Sequence, residues 1–439
     1  MLAISFTFFV LFFCLVMGIK WFILLSLMMM FYPFFHFLNF NLSLFSKNLY
    51  ISLDFFSFLM IILTFWIVFL SILSSMNILM SSFSKLFLIL FYFLFFFLYM
   101  FFSVSNFFFF FFFFEATLIP TLFIIVGWGN KVERIKSGYY LFFYTLFGSM
   151  PMLMSIFFLK EMNFSLIFFF FNLKSTYYLM YMFLVISLLI KMPMFLVHSW
   201  LPKAHVEAPL SGSMILAGVL LKMGGYGLFR LMNLFKKFSN LNSIWIYISL
   251  WGGILSSFIC LRQVDLKSII AFSSVSHMSL VIVGILIFCY SSLIGSLMLM
   301  VSHGLCSSGL FFLANILYER SGSRSIFLNK GLMSMFPSLS IWWFIFCAFN
   351  MACPPSLNLI SEIFLMNGLI SWSFLFVFFL MFISFLGGVY NLFLFSFCNH
   401  GSMYSSIFFF NSCYLIEYFI LYMHFFPIFF FFMKLFFFF

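Results

Sequence analysis

The 439-residue sequence is 66% hydrophobic and only 7% charged, whereas soluble domains carry about 25% charged residues. This composition excludes a water-soluble fold. A helix needs about 20 apolar residues to cross the bilayer core, and apolar blocks of that length recur along the whole chain. Barrel strands alternate polar with apolar residues, and these blocks do not. We therefore predict an all-α, polytopic integral membrane protein embedded in a lipid bilayer.

The net charge is +11, from 20 Lys and Arg against 9 Asp and Glu. In a soluble protein such an excess can indicate nucleic acid binding. Here most basic residues fall in short loops, as the positive-inside rule expects, so we predict no nucleic acid partner. The eight cysteines form no CxxC pair. We interpret them as small apolar side chains, and we expect no iron–sulfur cluster, zinc site or disulfide framework.

The N-terminal segment 1–19 is apolar and has neither a basic leading region nor a small-residue cleavage site. It is better interpreted as a first spanning helix than as a signal peptide. The chain also contains 84 Phe and 31 Met, with an unbroken Phe run at 107–114. Our hypothesis is mutational bias in an AT-rich organelle genome, because no packing requirement explains so many phenylalanines. The base composition of the gene would test it.

In chain order, the apolar blocks predict about fourteen transmembrane helices. Their bounds are 2–18, 20–38, 51–74, 83–103, 105–127, 138–160, 178–198, 209–230, 243–262, 268–289, 292–317, 338–369, 372–397 and 412–432. We divide them into N-terminal helices (1–82), a first helix repeat (83–230), a second helix repeat (243–397) and a C-terminal helix (398–439). No stretch is left over for a water-soluble domain.

The loop charges predict an orientation. Alternating the loops places eleven Lys and Arg residues on one side, including Lys85, Lys131 and Lys203, and seven on the other, including Lys160 and Arg230. We call the first of these the basic side. The positive-inside rule puts the basic side inside, which is the matrix if the protein is mitochondrial.

Two of the predicted helices interrupt their own pattern. The seventh contains Lys191-Met192-Pro193, with Leu201-Pro202 just after it, and the twelfth contains Cys353-Pro354-Pro355. Proline removes a backbone donor and clashes with the preceding turn, so both helices should be kinked or broken within the membrane. Matching broken helices in two halves are typical of transporters built from inverted repeats. Two ordinary proline kinks remain the alternative.

Four ionisable residues lie deep within predicted helices: Glu115, Lys191, Lys222 and Glu362. Each costs about 2.5 to 3.5 kcal/mol at the bilayer centre on insertion scales, so each needs a reason. Acids and bases spread over four helices form a row of titratable groups that can pass protons. Structural ion pairs are the alternative, because buried charges are commonly paired whatever their function.

Histidines supply a second set of candidates. His198 and His205 flank the predicted break after Lys191, while His277 and His303 lie in the tenth and eleventh helices. An unperturbed imidazole exchanges protons near neutral pH. Hydrogen bonding between helices is the alternative role, above all for His277. We expect no metal ligation, because no His-rich or Cys-rich cluster accompanies these residues.

At this point several motifs become recognisable. Residues 191–209, KMPMFLVHSWLPKAHVEAP, resemble the signature of the antiporter-like subunits of respiratory complex I, in the form typical of mitochondrial subunit 4. Further matches lie at 211–222, 265–271, 276–278, 302–304, 318–320 and 354–359. The resemblance is strong from about Glu115 to Glu362 and rests on hydropathy elsewhere. Phe272 departs from it, since the family often has tyrosine there, so no hydroxyl at that position belongs to a relay in this chain.

The resemblance implies roles for the candidate residues. Glu115 and Lys191 would form the pair of the first half, Lys222 the central relay and Glu362 the terminal acid. We add Lys267, which lies within the matching segment 265–271, and the histidines His198, His205 and His303 as further candidates. The resemblance also implies no cofactor in this chain, because NADH, flavin, iron–sulfur clusters and quinone are handled by other subunits. Consistently, no Gly-rich dinucleotide fingerprint follows a strand.

The leading interpretation is therefore a proton-translocating membrane-arm subunit of NADH:ubiquinone oxidoreductase, multi-pass in the mitochondrial inner membrane. Its expected partners are the other membrane-arm subunits of complex I, and it has no redox centre of its own. A stand-alone cation/proton antiporter of the related family is the first alternative, and a purely structural membrane subunit is the second. Comigration with NADH dehydrogenase activity in a blue-native gel would separate them.

Overall fold

The computed structural model describes residues 52–162, 166–168, 178–235, 238–402 and 412–434. The first two predicted helices, 2–18 and 20–38, lie outside these ranges. The described helices are α1 (Phe55–Leu73), α2 (Ser84–Ser103), α3 (Phe107–Ala116), α4 (Leu118–Trp128), α5 (Arg134–Met162), α6 (Tyr178–Lys191), α7 (Trp200–Glu207), α8 (Leu210–Ile215), α9 (Leu221–Phe235), α10 (Ser239–Leu261), α11 (Leu266–Leu286), α12 (Tyr290–Ser321), α13 (Pro337–Asn350), α14 (Leu357–Trp372), α15 (Phe376–Asn399) and α16 (Leu415–Met433). Two one-turn helices, Met76–Leu79 and Leu332–Met335, lie in loops.

The all-α membrane fold is confirmed. Within the described ranges, ten helical segments are long and apolar enough to cross a bilayer, counting α3 with α4 and α8 with α9. Three shorter apolar helices, α6, α13 and α14, are parts of interrupted segments. No β-sheet is present in the part of the chain described here, which contains only isolated β-bridges such as Asn106–Ile167 and Asp265–Ser325. The total of fourteen helices is not confirmed, because two of them fall outside the described residues.

The break in the seventh predicted helix lies where the sequence places it. Helix α6 ends at Lys191, and irregular backbone with one 3₁₀ turn, Phe195–Val197, leads to α7. Pro193 has no N–H to continue the helix, and the Trp200 indole donates to the freed carbonyl of Ile190 at 3.1 Å. The second proline motif, Leu201-Pro202, does not interrupt a helix. Pro202 is the third residue of α7, where a missing backbone donor costs nothing.

The twelfth predicted helix, 338–369, is two helices. Helix α13 ends at Asn350 and α14 begins at Leu357, with Pro354 and Pro355 between them. The hydroxyl of Ser356 accepts a hydrogen bond from the Leu359 N–H and caps α14. The Asn358 amide donates to the carbonyl of Phe349 across the gap at 2.7 Å. Side chains thus satisfy the backbone groups that the prolines leave open inside the membrane.

Other bounds differ from the predicted ones. The fifth predicted helix, 105–127, is interrupted at Thr117, whose hydroxyl donates to the Phe114 carbonyl at 3.0 Å. Helix α5 begins four residues before the predicted 138, and α12 extends past the predicted 292–317 at both ends. Helical hydrogen bonding continues past the apolar window into polar residues, which hydropathy alone does not register.

Four of the described segments lie in the interior of the bundle. Their most hydrophobic windows are 89% buried in α1 and in α8–α9, 94% buried in α11 and 100% buried in α12. By contrast, α15 and α16 are only 33% buried and present apolar faces outward, as lipid-facing helices do. The interior segments hold Lys222, Lys267, His277 and His303. These titratable groups therefore lie in the protein core and not against lipid.

Candidate functional site

The centre of the site is Lys222, at the start of α9. Its side chain is fully buried, and its amino group donates to the carbonyl of Ala217. The turn before it, Leu216–Leu220, is a π-helix in which the Leu221 N–H bonds to the Leu216 carbonyl. Single π-turns inside α-helices recur at functional sites, because they displace backbone carbonyls from the regular ladder. The turn thus offers the Lys222 ammonium an acceptor that a regular helix would not.

His303, in the middle of α12, is the neighbour of Lys222. The distance from Lys222 Nζ to His303 Nδ1 is 3.2 Å, and both side chains are fully buried. The ring of His303 lies 5.3 Å from that of His277 in α11. Its Nε2 has no hydrogen-bond partner among the described residues. A buried imidazole between a lysine and a second imidazole can accept a proton on one nitrogen and release it from the other.

His277 continues the row towards Glu362. Its Nδ1 lies 3.7 Å from a carboxylate oxygen of Glu362 in α14, and its Nε2 lies 3.1 Å from the hydroxyl of Tyr390 in α15. A cavity of about 20 Å³ lies against all three side chains and Asn350. That volume and polar lining suffice for one water molecule. A proton can therefore pass between His277 and Glu362 directly or through a water.

Glu115 and Lys191 lie side by side but form no direct ion pair. The Lys191 amino group donates to the carbonyl of Phe114 and lies 3.1 Å from the centre of the Phe114 ring. The Glu115 oxygens are buried and have no hydrogen-bond partner in the described part of the chain, although the charge of Lys191 is within electrostatic reach of them. Lys191 therefore binds the residue next to Glu115, and the pairing of Lys191 with Glu115 that the resemblance implies stays a prediction.

His205 and Lys267 lie nearer the basic side. Both are buried. His205 stacks on Phe311 at 4.8 Å between ring centres, and both of its ring nitrogens lack a partner within the described ranges. The Lys267 amino group donates to the carbonyl of Ala208, just after α7, at 3.1 Å. Lys222 and Lys267 are both within electrostatic reach of His205.

His198 is not part of the row. Its Nδ1 lies against the carbonyl of Phe195, and its ring stacks on the Phe195 ring at 4.9 Å and meets Phe272 edge-on at 5.9 Å. The structure therefore brings together Lys222, His303, His277 and Glu362, and leaves His198 in the break after α6. Its contacts are those of a group that shapes the irregular backbone.

Comparison with known sequence families accounts for nearly the whole chain. A family described as NADH:quinone oxidoreductase/Mrp antiporter, TM, matches residues 104–387, and the amino-terminal family of NADH-ubiquinone oxidoreductase chain 4 matches residues 1–101. The chain belongs to the NADH-ubiquinone oxidoreductase chain 4 family. The resemblance seen in residues 191–209 is thereby confirmed.

Curated relatives agree with this membership. Chain 4 of Aedes aegypti is 51% identical over 383 residues, which is 86% of each chain. Chain 4 of Locusta migratoria is 48% identical over 86% of each chain. Chain 4 of Petromyzon marinus is 42% identical over 75% of this chain and 74% of its own. The similarity therefore spans most of both proteins.

Solved structures share the chain 4 fold. A chain of respiratory complex I from Thermus thermophilus with bound NADH superposes with a TM-score of 0.86 at 21% identity, covering 96% of this chain and 93% of that one. A chain of the Mrp complex from Dietzia sp. DQ12-45-1b superposes with a TM-score of 0.75 at 17% identity, covering 81% of this chain and 68% of that one. At these identities the likeness establishes the fold alone.

Two features of the site in this chain 4 family member were not predicted from the sequence. Tyr390, in α15, hydrogen-bonds His277 and Ser276, and nothing in its sequence context, Gly388-Val389-Tyr390, distinguishes it from other membrane tyrosines. The second is an ion pair between Glu207 and Arg324. Glu207 stands within the motif 191–209, but its partner follows it by more than a hundred residues.

No three His, Cys, Asp or Glu side chains in the described ranges are placed to hold a metal ion.

Proposed function

We propose that this chain translocates protons across the mitochondrial inner membrane as a membrane-arm subunit of NADH:ubiquinone oxidoreductase. One observation carries the proposal: Lys222, His303, His277 and Glu362 form a contiguous row across α9, α12, α11 and α14, in which the first three side chains are buried and Glu362 is partly buried. The steps of that row are 3.2 Å from Lys222 to His303, 5.3 Å between the two imidazole rings, and 3.7 Å from His277 to Glu362. Each step is within reach of a rotating side chain or a single water.

The direction of transfer follows from the chemistry of the groups. The Lys222 ammonium donates a proton to His303. The His303 imidazole passes a proton to His277, and Glu362 accepts a proton from His277 as the terminal acid. Charge on a buried lysine is costly unless a compensating group lies near it. Movement of charge in the Glu115–Lys191 pair therefore favours or disfavours the protonated form of Lys222. The two sites are in contact through the backbone, because a Cβ on Gly224 would meet the Leu188 carbonyl at 2.8 Å and the Met192 nitrogen at 2.9 Å.

The remaining elements of the proposal concern the setting of this chain. The NADH and ubiquinone chemistry takes place in other subunits, and this chain has no redox centre of its own. The names of its animal relatives, NADH-ubiquinone oxidoreductase chain 4, support the mitochondrial inner membrane as its location. The breaks after α6 and α13 support the division into two helix repeats, 83–230 and 243–397. The other membrane-arm subunits are its partners.

The test compares two lysine variants in the complex rebuilt in proteoliposomes. Lys222→Met interrupts the row, whereas Lys85→Met removes an exposed charge at the start of α2. We expect the first to lower the protons pumped per NADH oxidised and the second to leave the ratio unchanged. Both complexes should assemble in blue-native gels. Equal ratios in the two variants would remove Lys222 from the pathway and with it this proposal.

A second candidate is a stand-alone cation/proton antiporter, favoured by the fold shared with the Mrp complex chain. It predicts that the chain migrates as a small particle, free of NADH dehydrogenase activity, and that it exchanges Na⁺ or K⁺ for protons. Comigration with that activity and the absence of cation exchange would exclude it.

A further inference from the structure

A polar cavity of about 400 Å³ opens between α5, α7 and the α10–α11 connection. It lies at the basic side and is separate from the small cavity beside Glu362. Its lining includes Glu133, Lys136, Tyr140, Lys203, Gln263 and Glu207. Glu133, Lys136 and Lys203 are exposed, whereas Glu207 is only 5% exposed. The cavity therefore has a charged rim and a buried carboxylate at its inner end.

Glu207 is only half compensated at that inner end. One carboxylate oxygen lies 3.5 Å from a guanidinium nitrogen of Arg324, and the other has no hydrogen-bond partner in the described part of the chain. Arg324 is itself 6% exposed, and two of its three guanidinium nitrogens also lack partners among the described residues. An unsatisfied buried polar group costs about 1 to 3 kcal/mol, and more if charged. The free Glu207 oxygen can therefore accept a further hydrogen bond or a proton.

Arg324 is held in place by the backbone. After Gly322, which has a φ of +68°, the chain runs antiparallel to the start of α11, with the Leu266 N–H donating to the Arg324 carbonyl and the Ile326 N–H to the Val264 carbonyl, both at 3.0 Å. The guanidinium also donates to the Val206 carbonyl at 2.6 Å. Because Arg324 is fixed at both its backbone and its side chain, the Glu207 side chain is the partner that is free to move.

Further ionisable groups lie between Glu207 and Lys222. The Lys267 amino group binds the carbonyl of Ala208, the residue after Glu207, and both Glu207 and Arg324 are within electrostatic reach of it. His205, two residues earlier in α7, is within reach of Lys267 and Lys222. Glu207 is thus the only carboxylate, within the described ranges, placed between this cavity and the row.

We propose that this cavity is the mouth through which the chain takes up protons, with Glu207 as the receiving group and Arg324 as its positioning residue. The inference rests on the proposed proton translocation. A hydronium ion gives its proton to the open Glu207 oxygen, forming an O–H bond and leaving water. The neutral carboxyl releases Arg324, turns inward and gives the proton to the unprotonated amine of Lys267, which becomes an ammonium. The carboxylate then pairs with Arg324 again.

The first experiment tests access to the cavity. Ser268→Cys places a thiol in the cavity lining, and Ser279→Cys places one in the same helix, buried away from it. Complex in sealed vesicles is treated with a charged methanethiosulfonate added to one side or the other. We expect Ser268→Cys to react from the side of Lys203 and Lys136, while Ser279→Cys reacts from neither. Reaction of Ser268→Cys only from the opposite side, or from neither, overturns the inference.

The second experiment tests the two residues by pumping. Glu207→Gln should lose pumping to the same extent as Lys222→Met, and Glu161→Gln, at an exposed site in the far end of α5, should lose none. Arg324→Met should lose pumping and Arg324→Lys should recover it, which a packing role of the bulky side chain would not predict. Normal pumping in Glu207→Gln alongside a defect in Lys222→Met overturns the uptake mouth and leaves the proposed function standing. If Glu207→Gln does not assemble, the labelling of Ser268→Cys decides, because that variant keeps Glu207.

Discussion

The amino group of Lys222 lies 3.2 Å from Nδ1 of His303, and this contact joins the first turn of α9 to α12, the most deeply buried of the described spanning helices. Close packing makes it possible. A Cβ on Gly304, the next residue in α12, would stand 3.0 Å from the carbonyl of Gly218 in the π-turn. Small residues on both helices therefore bring the lysine and the histidine into contact inside the membrane.

The first prediction concerns this contact. His303→Ala should lower pumping about as strongly as Lys222→Met, and the double variant should be no worse than either single one, because both remove the same step. The test is a double-mutant cycle on protons pumped per NADH. Losses that simply add would show that the two residues act in separate pathways, although they touch.

Glu362 should be needed for transfer and not for assembly. Glu362→Gln keeps the shape of the side chain and removes its proton exchange, so we expect normal blue-native migration with lowered pumping. Tyr390→Phe removes a hydroxyl that binds His277 at 3.1 Å and should give a smaller loss. Glu161→Gln is the control. Failed assembly of Glu362→Gln with no separate pumping defect would assign Glu362 a structural role instead.

Glu115 and Lys191 should be coupled even without a direct ion pair. Removing either charge leaves the other buried without compensation, so Glu115→Gln combined with Lys191→Met should pump no worse than the poorer single variant. Pumping by reconstituted complex across the four combinations measures the coupling. Strictly additive losses would show that the two residues act independently.

Gly224→Ala should destabilise the chain at the contact between α9 and the break after α6. The new methyl would meet backbone atoms of Leu188 and Met192 at under 3 Å, and overpacking of this kind typically costs about 1 to 3 kcal/mol. Gly127→Ala, in α4, is the matched control, because nothing lies within 4 Å of its added methyl. Thermal stability of the solubilised complex should fall for the first variant and stay unchanged for the second. Equal stability would mean that α6 shifts to accommodate the methyl and that the contact is loose.

Some features of this chain could be derived from its sequence. Composition excludes a soluble fold, because too few polar side chains exist to cover a water-exposed surface. Pro193 and the Pro354–Pro355 pair determine where two helices break, because a missing N–H and a ring clash act locally whatever packs nearby. The depth of Glu115, Lys191, Lys222 and Glu362 in apolar segments is likewise visible from the chain alone, since each costs free energy at the position where it stands.

Other features depended on the tertiary structure. Neither the π-turn before Lys222 nor the placing of His198 outside the row has a signal in the local sequence. The Tyr390 hydroxyl contacts His277, and Glu207 pairs with Arg324. In each case the two residues are separated by about a hundred positions or more in the sequence. Which buried polar groups meet is decided by the rotation and spacing of packed helices. Those follow from the small residues and side-chain volumes at every helix contact together, and no single segment contains that information.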